Sequence, residues 1–384
     1  MSISDTEFDD IRPFSDEEAA AGLSRVAHHP MAYAISKYFF PKESPDTLSN
    51  MLTQIDTVED FQKAIMCKAV DWVIDNSVSS FTYDGIENVA SIKGKFLVMS
   101  NHRDIVLDPA FLQYVLMENN LPVTEVAVGD NLLASKTVEI LLRSNRMIKV
   151  IRGISARELY LSSQKLSKYI RNSITSGSNS VWIAQRQGRT KDGNDTTEQG
   201  LLKMVDMSGE KSFKENFEEL NIVPMSISYE LEPCDFRKAR EKLISRTEKY
   251  VKKKNEDMHS ILTGIRQQKG NVHLHFGKPL TSEEIEIASR CDKNDRYQAI
   301  RHLVDNRIIE GYKLWKSNFM AYDLVNGTDK YSSEYTKEDL EKFIEYTNHK
   351  LSKADKKLDK NELKDIFLRI YANPVFNKET AGLI

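Results

Sequence analysis

KFLVMSNHRDIVLDPAFL, residues 95–112, contains an apolar run, a polar turn carrying His102, Arg103, Asp104 and Asp108, and the opening of an apolar-periodic helix. An apolar strand that ends in such a turn and reopens as a helix is the repeating unit of an α/β layer structure, in which reactive groups gather at the carboxyl ends of the strands. His102 falls at such an end. An imidazole can accept and return a proton, and a neighbouring carboxylate would hold one tautomer and stabilise the imidazolium that forms on proton transfer. Asp108 directly before Pro109 also reads as a helix start, with the aspartate as the cap.

Outward from this stretch, six more runs have the texture of strands: FTYDG (81–85), TEVAVG (124–129), MIKVI (147–151), SVWIAQ (180–185), NIVPMSISY (221–229) and NVHLHFG (271–277). Helical periodicity fills the gaps, in PAFLQYVLMEN, SKTVEILLRSN, ARELYLSSQKLSKYIRNSI and a long polar segment from about Phe236 to Gln267. The expected fold is therefore α/β, a mostly parallel central sheet flanked by helices. Pro224 lacks a backbone donor and is expected where its strand ends or lies at an edge. Residues 1–80 read as an N-terminal helical segment, 81–280 as the α/β catalytic domain and 281–384 as a C-terminal helical segment. In the first of these, TVEDFQKAIMCKAVDWVIDN reads as one helix, and MAYAISKYFF as a stretch that packs on the core. DKKLDKNEL lacks the central glycine and carboxylate spacing of a calcium loop and reads as a solvated helix end.

The 384 residues are 40% apolar and 29% charged, an ordinary globular balance. The three cysteines, Cys67, Cys234 and Cys291, are far apart and suggest neither a disulfide framework nor a metal knuckle. The acidic start MSISDTEFDDIRPF is not a secretory signal, and no apolar run approaches the roughly 18 residues that span a bilayer. The expected location is cytoplasmic, with peripheral contact at the inner face of the plasma membrane.

The net charge of −3 hides a polarised distribution. Residues 136–191 hold twelve Lys or Arg against two Glu, whereas the first twenty residues hold seven Asp or Glu and one Arg. Such a basic block is expected to attract phosphate groups, an anionic phospholipid surface or an acidic carrier protein. With no nucleic-acid-binding module beside it, nucleic acid is not an expected partner.

No G-x-S-x-G elbow and no reactive-cysteine signature accompany His102. A base without a protein nucleophile points to a substrate that brings its own, such as an acceptor hydroxyl that attacks a thioester. SVWIAQRQGRTKDGND (180–195) runs from a strand into a basic turn with Arg186, Gln187, Gly188, Arg189 and Lys191, where glycine allows close backbone approach and arginine matches phosphate oxygens. MIKVIRG (147–153) also ends in a cation, Arg152. His273 and His275 share a strand face but have no evident third ligand, so no metal site is expected.

In this order the segments resemble the four blocks of the glycerolipid acyltransferase family, which contains 1-acyl-glycerol-3-phosphate and glycerol-3-phosphate acyltransferases. FTYDGIENV leading to KFLVMSNHRDIVLD resembles the first block, MIKVIR the second, RQGR the third and IVPMSIS the fourth, over roughly residues 81–280. The flanking segments look like a soluble bacterial branch of the family. The resemblance implies His102 and Asp108 as the catalytic pair and Arg103, Asp104, Arg152, Arg186, Gln187, Gly188 and Arg189 as substrate-binding residues. It further implies no cofactor beyond acyl-CoA or acyl carrier protein as co-substrate, and a lysophospholipid or glycerol-3-phosphate as acceptor, with 1-acyl-glycerol-3-phosphate giving phosphatidic acid the leading case.

Two departures stand out. Five residues separate His102 from Asp108 where the family has four, which leaves Asp104 as a lesser candidate partner. Gln187 replaces the usual Glu of the third block, keeping the shape and losing the charge. These departures motivate two alternatives: a catalytically degenerate member that binds acyl donor or lipid without turnover, and an acyltransferase for an amino-acid-containing lipid.

Overall fold

The computed structural model describes residues 5–133, 135–152 and 155–384. Its centre is a seven-stranded sheet of β1 (Ser80–Asp84), β2 (Leu97–Ser100), β3 (Glu125–Gly129), β4 (Met147–Val150), β5 (Val181–Ala184), β6 (Ile222–Tyr229) and β7 (Asn271–Phe276). The spatial order is β1-β7-β6-β2-β5-β3-β4. Every pairing is parallel except β6 with β7. All seven strands coincide with runs expected from the sequence.

The helices are α1 (Asp16–Ala27), α2 (Pro30–Phe39), α3 (Thr47–Leu52), α4 (Val58–Phe61) and α5 (Cys67–Ser77) before the sheet. Within the sheet's connections lie α6 (Glu87–Ala90), α7 (Leu107–Glu118), α8 (Lys136–Arg143), α9 (Ala156–Thr175), α10 (Gln199–Asp206), α11 (Phe213–Glu218), α12 (Asp235–Ile244) and α13 (Glu256–Arg266). After it come α14 (Ser282–Ser289), α15 (Asp295–Glu310), α16 (Lys316–Asn326), α17 (Lys337–Leu351) and α18 (Lys360–Thr380). Ser15 caps α1, with Glu18 closing a capping box, and Asp359 caps α18 from the DKKLDKNEL stretch, as a helix end should.

The central strands are apolar throughout because both faces of the sheet are covered. Leu97, Met99, Val181 and Ile183 point into a core shared with α9, α10, α11, α14 and α15. Val98 and Trp182, one residue out of phase, point into the opposite core with Phe111, Leu112 and Val115 of α7 and Val70 and Val73 of α5. A third core joins α12 to α16, α17 and α18, and a fourth joins the N-terminal helices.

Three local expectations change. The 57–76 stretch is α4 and α5 joined by one widened turn, residues 62–66, in which Cys67 N–H reaches back five residues to Gln62 C=O. The turn presents the buried Gln62 side chain to Asn145 and Arg146, whose hydrogen bonds hold it there. The 236–267 segment is two helices, because the chain breaks over residues 245–255 and reverses. That reversal returns the chain to the end of β6, where Glu230 N–H meets Asn271 C=O, so β7 runs antiparallel. Pro224 sits on an interior strand, not at an edge. It is tolerated because it lies one residue before the antiparallel ladder with β7 begins at Met225↔Phe276.

The acidic N-terminus and the basic block also meet each other. Lys165 pairs with Asp10 at 3.0 Å and Lys168 with Glu7 at 2.8 Å, while Arg143 donates to the backbone carbonyls of Arg12 and Asp9. Two cations of the positive block are thereby neutralised by the acidic N-terminus and a third is held by its backbone. Among the described residues, no helix is long and apolar enough to cross a membrane.

Candidate functional site

His102 stands two residues past the end of β2, in the turn that leads to α7. Its Nδ1 lies 2.8 Å from Asp108 Oδ2. Asp108 is fully buried and collects three further hydrogen bonds: Arg103 N–H at 2.5 Å and Asp104 N–H at 2.9 Å donate to Oδ2, and the Tyr229 hydroxyl donates to Oδ1 at 2.8 Å. Burial, with Asp108 alongside, pushes the Tyr229 hydroxyl well above its ordinary range, so it remains a donor. With Nδ1 committed to the carboxylate, Nε2 is the nitrogen left to exchange a proton. The ring meets Trp182 edge-on at 5.7 Å.

Asp108 is not the cap of α7, contrary to the sequence expectation. It is the second residue of the helix and receives donors from the turn before it, whereas Asp104 does the capping: its Oδ1 accepts from Val106 N–H at 3.0 Å and Leu107 N–H at 2.9 Å. The five-residue spacing is thus accommodated by a turn that wraps one carboxylate around the helix start and leaves the other for His102. Asp104 is 1% exposed and packs against Gly264 of α13, where a Cβ would fall 2.1 Å from Oδ2. It lines no cavity with His102.

Arg103 also departs from its expected substrate-binding place. It is 4% exposed and pairs with Asp195 at 2.5 Å and Glu232 at 3.5 Å, beneath the His102 turn. Burial opposes its charge, but the two carboxylates outweigh that and hold its pKa above the usual value. Asp195 Oδ2 additionally accepts from Asn101 Nδ2 and the Tyr312 hydroxyl, and Lys238 Nζ bridges Glu232 to the Arg103 carbonyl at 2.6 Å. Asn101 ties the turn to β6 through Ile227 in both directions. None of these supports was singled out in the sequence, although Asp195 closes the SVWIAQRQGRTKDGND stretch.

A cavity of about 100 Å³ opens on His102 and is lined by Arg152, Gly188, Arg189 and Lys191 as well as Trp182 and Pro109. Arg152 reaches it because Gly129, at the end of β3, has no side chain; a Cβ there would fall 2.7 Å from the Arg152 guanidinium carbon. Thr190 N–H donates to the His102 carbonyl at 2.9 Å and so fastens the Arg189 turn to the histidine. Two of the cavity's cations have partners of their own: Lys191 pairs with Glu241, and Lys252 with Asp257 at 2.6 Å. Arg152 and Arg189 have no carboxylate within ion-pairing distance among the described residues, and Arg189 Nη1 is buried without a hydrogen-bond partner. Burial lowers the Arg152 pKa, against the pull of Asp130 and Asp257.

Arg186 and Gln187 line a neighbouring cavity under α9, which shares Arg152, Ala127 and Ala184 with the first. They do not line the cavity that opens on His102, whereas the next two residues, Gly188 and Arg189, do. A third cavity, of about 240 Å³ and almost wholly apolar, runs between the N-terminal helices and the sheet, lined among others by Phe39, Phe40, Leu52, Ile65 and Val70. It touches the His102 cavity at Pro109. MAYAISKYFF forms part of its wall as α2, apolar face inward. His275 Nδ1 lies 2.5 Å from Asp84 Oδ1 on the far side of the sheet, with His273 at 3.5 Å.

Residues 80–228 match the family model described as Acyltransferase. The chain is 28% identical over 189 residues to the dihydroxyacetone phosphate acyltransferase of Bos taurus, covering 48% of this chain and 26% of that protein. It is 26% identical over 202 residues to the same enzyme from Mus musculus, covering 52% and 28%. The chain thus spans only about a quarter of the length of these curated relatives. The crystal structure of the 1-acyl-sn-glycerophosphate acyltransferase PlsC from Thermotoga maritima aligns over 76% of this chain and 94% of that one, at a TM-score of 0.39 and 12% identity. The matched residues, 80–228, carry the His102 turn, Arg152, Arg189 and all but the last residue of the β6 strand, so this segment is similar to an acyltransferase domain.

Proposed function

We propose that this protein transfers a fatty acyl group from a thioester to the hydroxyl of a glycerol-phosphate-type acceptor, with 1-acyl-glycerol-3-phosphate the leading case. The observation that carries this reading is the placement of a carboxylate-held imidazole and two uncompensated guanidinium groups, Arg152 and Arg189, on one small cavity. His102 Nε2 takes the hydroxyl proton, the acceptor oxygen attacks the thioester carbonyl carbon, and the C–S bond breaks. The imidazolium then returns its proton to the leaving thiolate. Asp108 holds the ring and stabilises its charge. Arg152 and Arg189 grip the phosphate and so place the hydroxyl beside Nε2, a positioning effect that can supply several kcal/mol. The apolar cavity behind Pro109 suits the acyl chain, since its lining is almost wholly apolar and Pro109 also lines the His102 cavity.

The enzyme would meet its lipid at an anionic bilayer face. Leu159, Tyr160 and Leu161 are 47%, 56% and 52% exposed on the first turns of α9, beside the cavity that holds Arg152 and Arg186. That is an apolar patch flanked by cations, as interfacial binding requires.

The deciding experiment offers purified protein 1-acyl-glycerol-3-phosphate, glycerol-3-phosphate, dihydroxyacetone phosphate and an amino-acid lipid, each with a long-chain acyl-CoA and with acyl carrier protein. Free thiol is measured, and products are identified by mass. Thiol release that needs an acceptor and is lost in His102→Ala supports the reading. Binding of donor and acceptor without release, or release that survives His102→Ala, overturns it.

A further inference from the structure

A second, larger cleft lies on the other side of the chain that rims the His102 cavity. It measures about 590 Å³ and is enclosed by α12, the 245–255 loop, α13 and the end of α17. All four segments lie beyond the residues matched by the family model. Arg237, Arg240, Lys253, Lys254, Lys350 and Lys353 line it, against only two carboxylates, Asp235 and Glu256. Lys350 is met by Asp235 at 3.1 Å. The other five cations have no carboxylate within ion-pairing distance among the described residues.

Five uncompensated cations in one concavity repel one another and draw in an anion of matching charge. One phosphate would leave most of them unbalanced, whereas two or three phosphate groups would not. The two arginines provide planar forks for phosphate oxygens. Tyr250 and Phe236, both half-buried, add aromatic faces, and the Tyr250 hydroxyl is held by Glu256 at 2.6 Å and Arg240 at 3.3 Å. Phosphates beside oriented aromatic rings suit a nucleotide, whose base can stack.

The wall between cleft and His102 cavity is thin. Neighbouring residues face opposite ways: Lys252 and Asp257 line the His102 cavity while Lys253 and Glu256 line the cleft, and Glu241 and Arg240 divide likewise. On α13, Thr263 lines the cleft and the next residue, Gly264, backs onto Asp104 in the His102 turn. A helix is only about 10 Å across.

We propose that this cleft holds the multiply phosphorylated nucleotide end of a coenzyme A thioester, whose flexible pantetheine arm crosses the 249–254 rim and delivers the acyl carbon to His102. The inference rests on the acyl-transfer reading and deepens it, since acyl carrier protein bears the same arm without the nucleotide. No bond is made or broken in the cleft.

The test uses the full chain with adenosine 3′,5′-bisphosphate and desulfo-coenzyme A as unreactive probes, titrated calorimetrically against wild type, Arg237→Ala/Arg240→Ala and Lys353→Ala. Lys353 is exposed on the opposite wall, so its variant separates ligand binding from folding. Probe affinity should fall about tenfold in the double variant and less in Lys353→Ala. The KM for acyl-CoA should rise in parallel, with kcat unchanged and with turnover of acyl-pantetheine, which lacks the nucleotide, unaffected. Unchanged probe affinity in both variants overturns the proposal. So does an equal loss with acyl-CoA and acyl-pantetheine, or a loss of binding to phosphatidylglycerol vesicles while probe binding persists. Probe binding that depends on the cleft in a protein releasing no thiol upholds the cleft and removes the acyl-transfer reading instead.

Discussion

Thr190 N–H donates to the carbonyl of His102 at 2.9 Å, so the turn that carries Arg189 is hydrogen-bonded directly to the residue proposed as the base. The backbones that carry the proton acceptor and the phosphate grip are therefore held at a fixed separation. This rigidity is what a positioning mechanism requires. The second grip, Arg152, depends on a different device, the bare end of β3 at Gly129.

Gly129→Ala should consequently act on acceptor binding. The added Cβ meets the Arg152 guanidinium and the Asn131 side chain, both flexible, so the fold should survive while Arg152 is displaced. Steady-state kinetics should show the acceptor KM rising about tenfold with the donor KM unchanged, a signature of lost ground-state binding.

Tyr229→Phe removes one donor from the buried Asp108 and leaves the shape intact. Stability should drop by about 1–2 kcal/mol, measured by denaturant unfolding. The rate should fall through kcat, since the carboxylate then holds His102 less firmly.

Asp195→Asn should be among the most damaging single changes outside the cavity. It leaves the buried Arg103 with Glu232 at 3.5 Å as its remaining carboxylate. Loss of one partner from such a pair is expected to destabilise by about 3–5 kcal/mol. Denaturation midpoints compared with Arg186→Ala, a cavity-lining change, would show the contrast.

Glu125 gives a pH signature. Burial pushes its carboxyl up to about 7, despite hydrogen bonds from Tyr169 and Asn179. Its folded pKa lies above the unfolded value, so the folded state holds the extra proton. Stability from this group is full at low pH and is lost as pH rises from about 4.5 to about 7. Glu125→Gln should therefore be more stable than wild type at pH 8, by on the order of 3 kcal/mol, and equal to it near pH 4. Thermal melts across that range would measure the convergence.

The apolar cavity predicts chain-length selection. Ala69 on α5 lines it, and Ala69→Leu places three more carbons in the path. Competition between long and medium acyl-CoA should shift toward the shorter donor, while the acceptor KM stays constant.

The central strands β2 and β5 were legible as short, almost wholly apolar runs, as a sheet covered on both faces demands, while β1 and β7 show instead as short β-branched or aromatic runs bounded by turns. The histidine turn and the cations Arg152 and Arg189 were equally legible, since each follows directly on such a run and parallel strands bring their carboxyl ends to one side. Arg103 and Asp104 were misassigned for the complementary reason. A charge beside His102 in the chain gives no sign of whether it faces a cavity or a carboxylate arriving from elsewhere. Asp195, Glu232 and Gly264 come from distant segments, and their contacts exist only after packing.

The same distinction governs the charges. Alternation of strand and helix, the candidate imidazole and the polarity of the two charged blocks follow from residue order, because periodicity and side-chain chemistry are local properties. Which carboxylate serves the imidazole and which caps the helix, which cations remain uncompensated, and where β7 reverses all depend on packing. Ion pairing and burial are relations between segments that only the folded chain brings within reach.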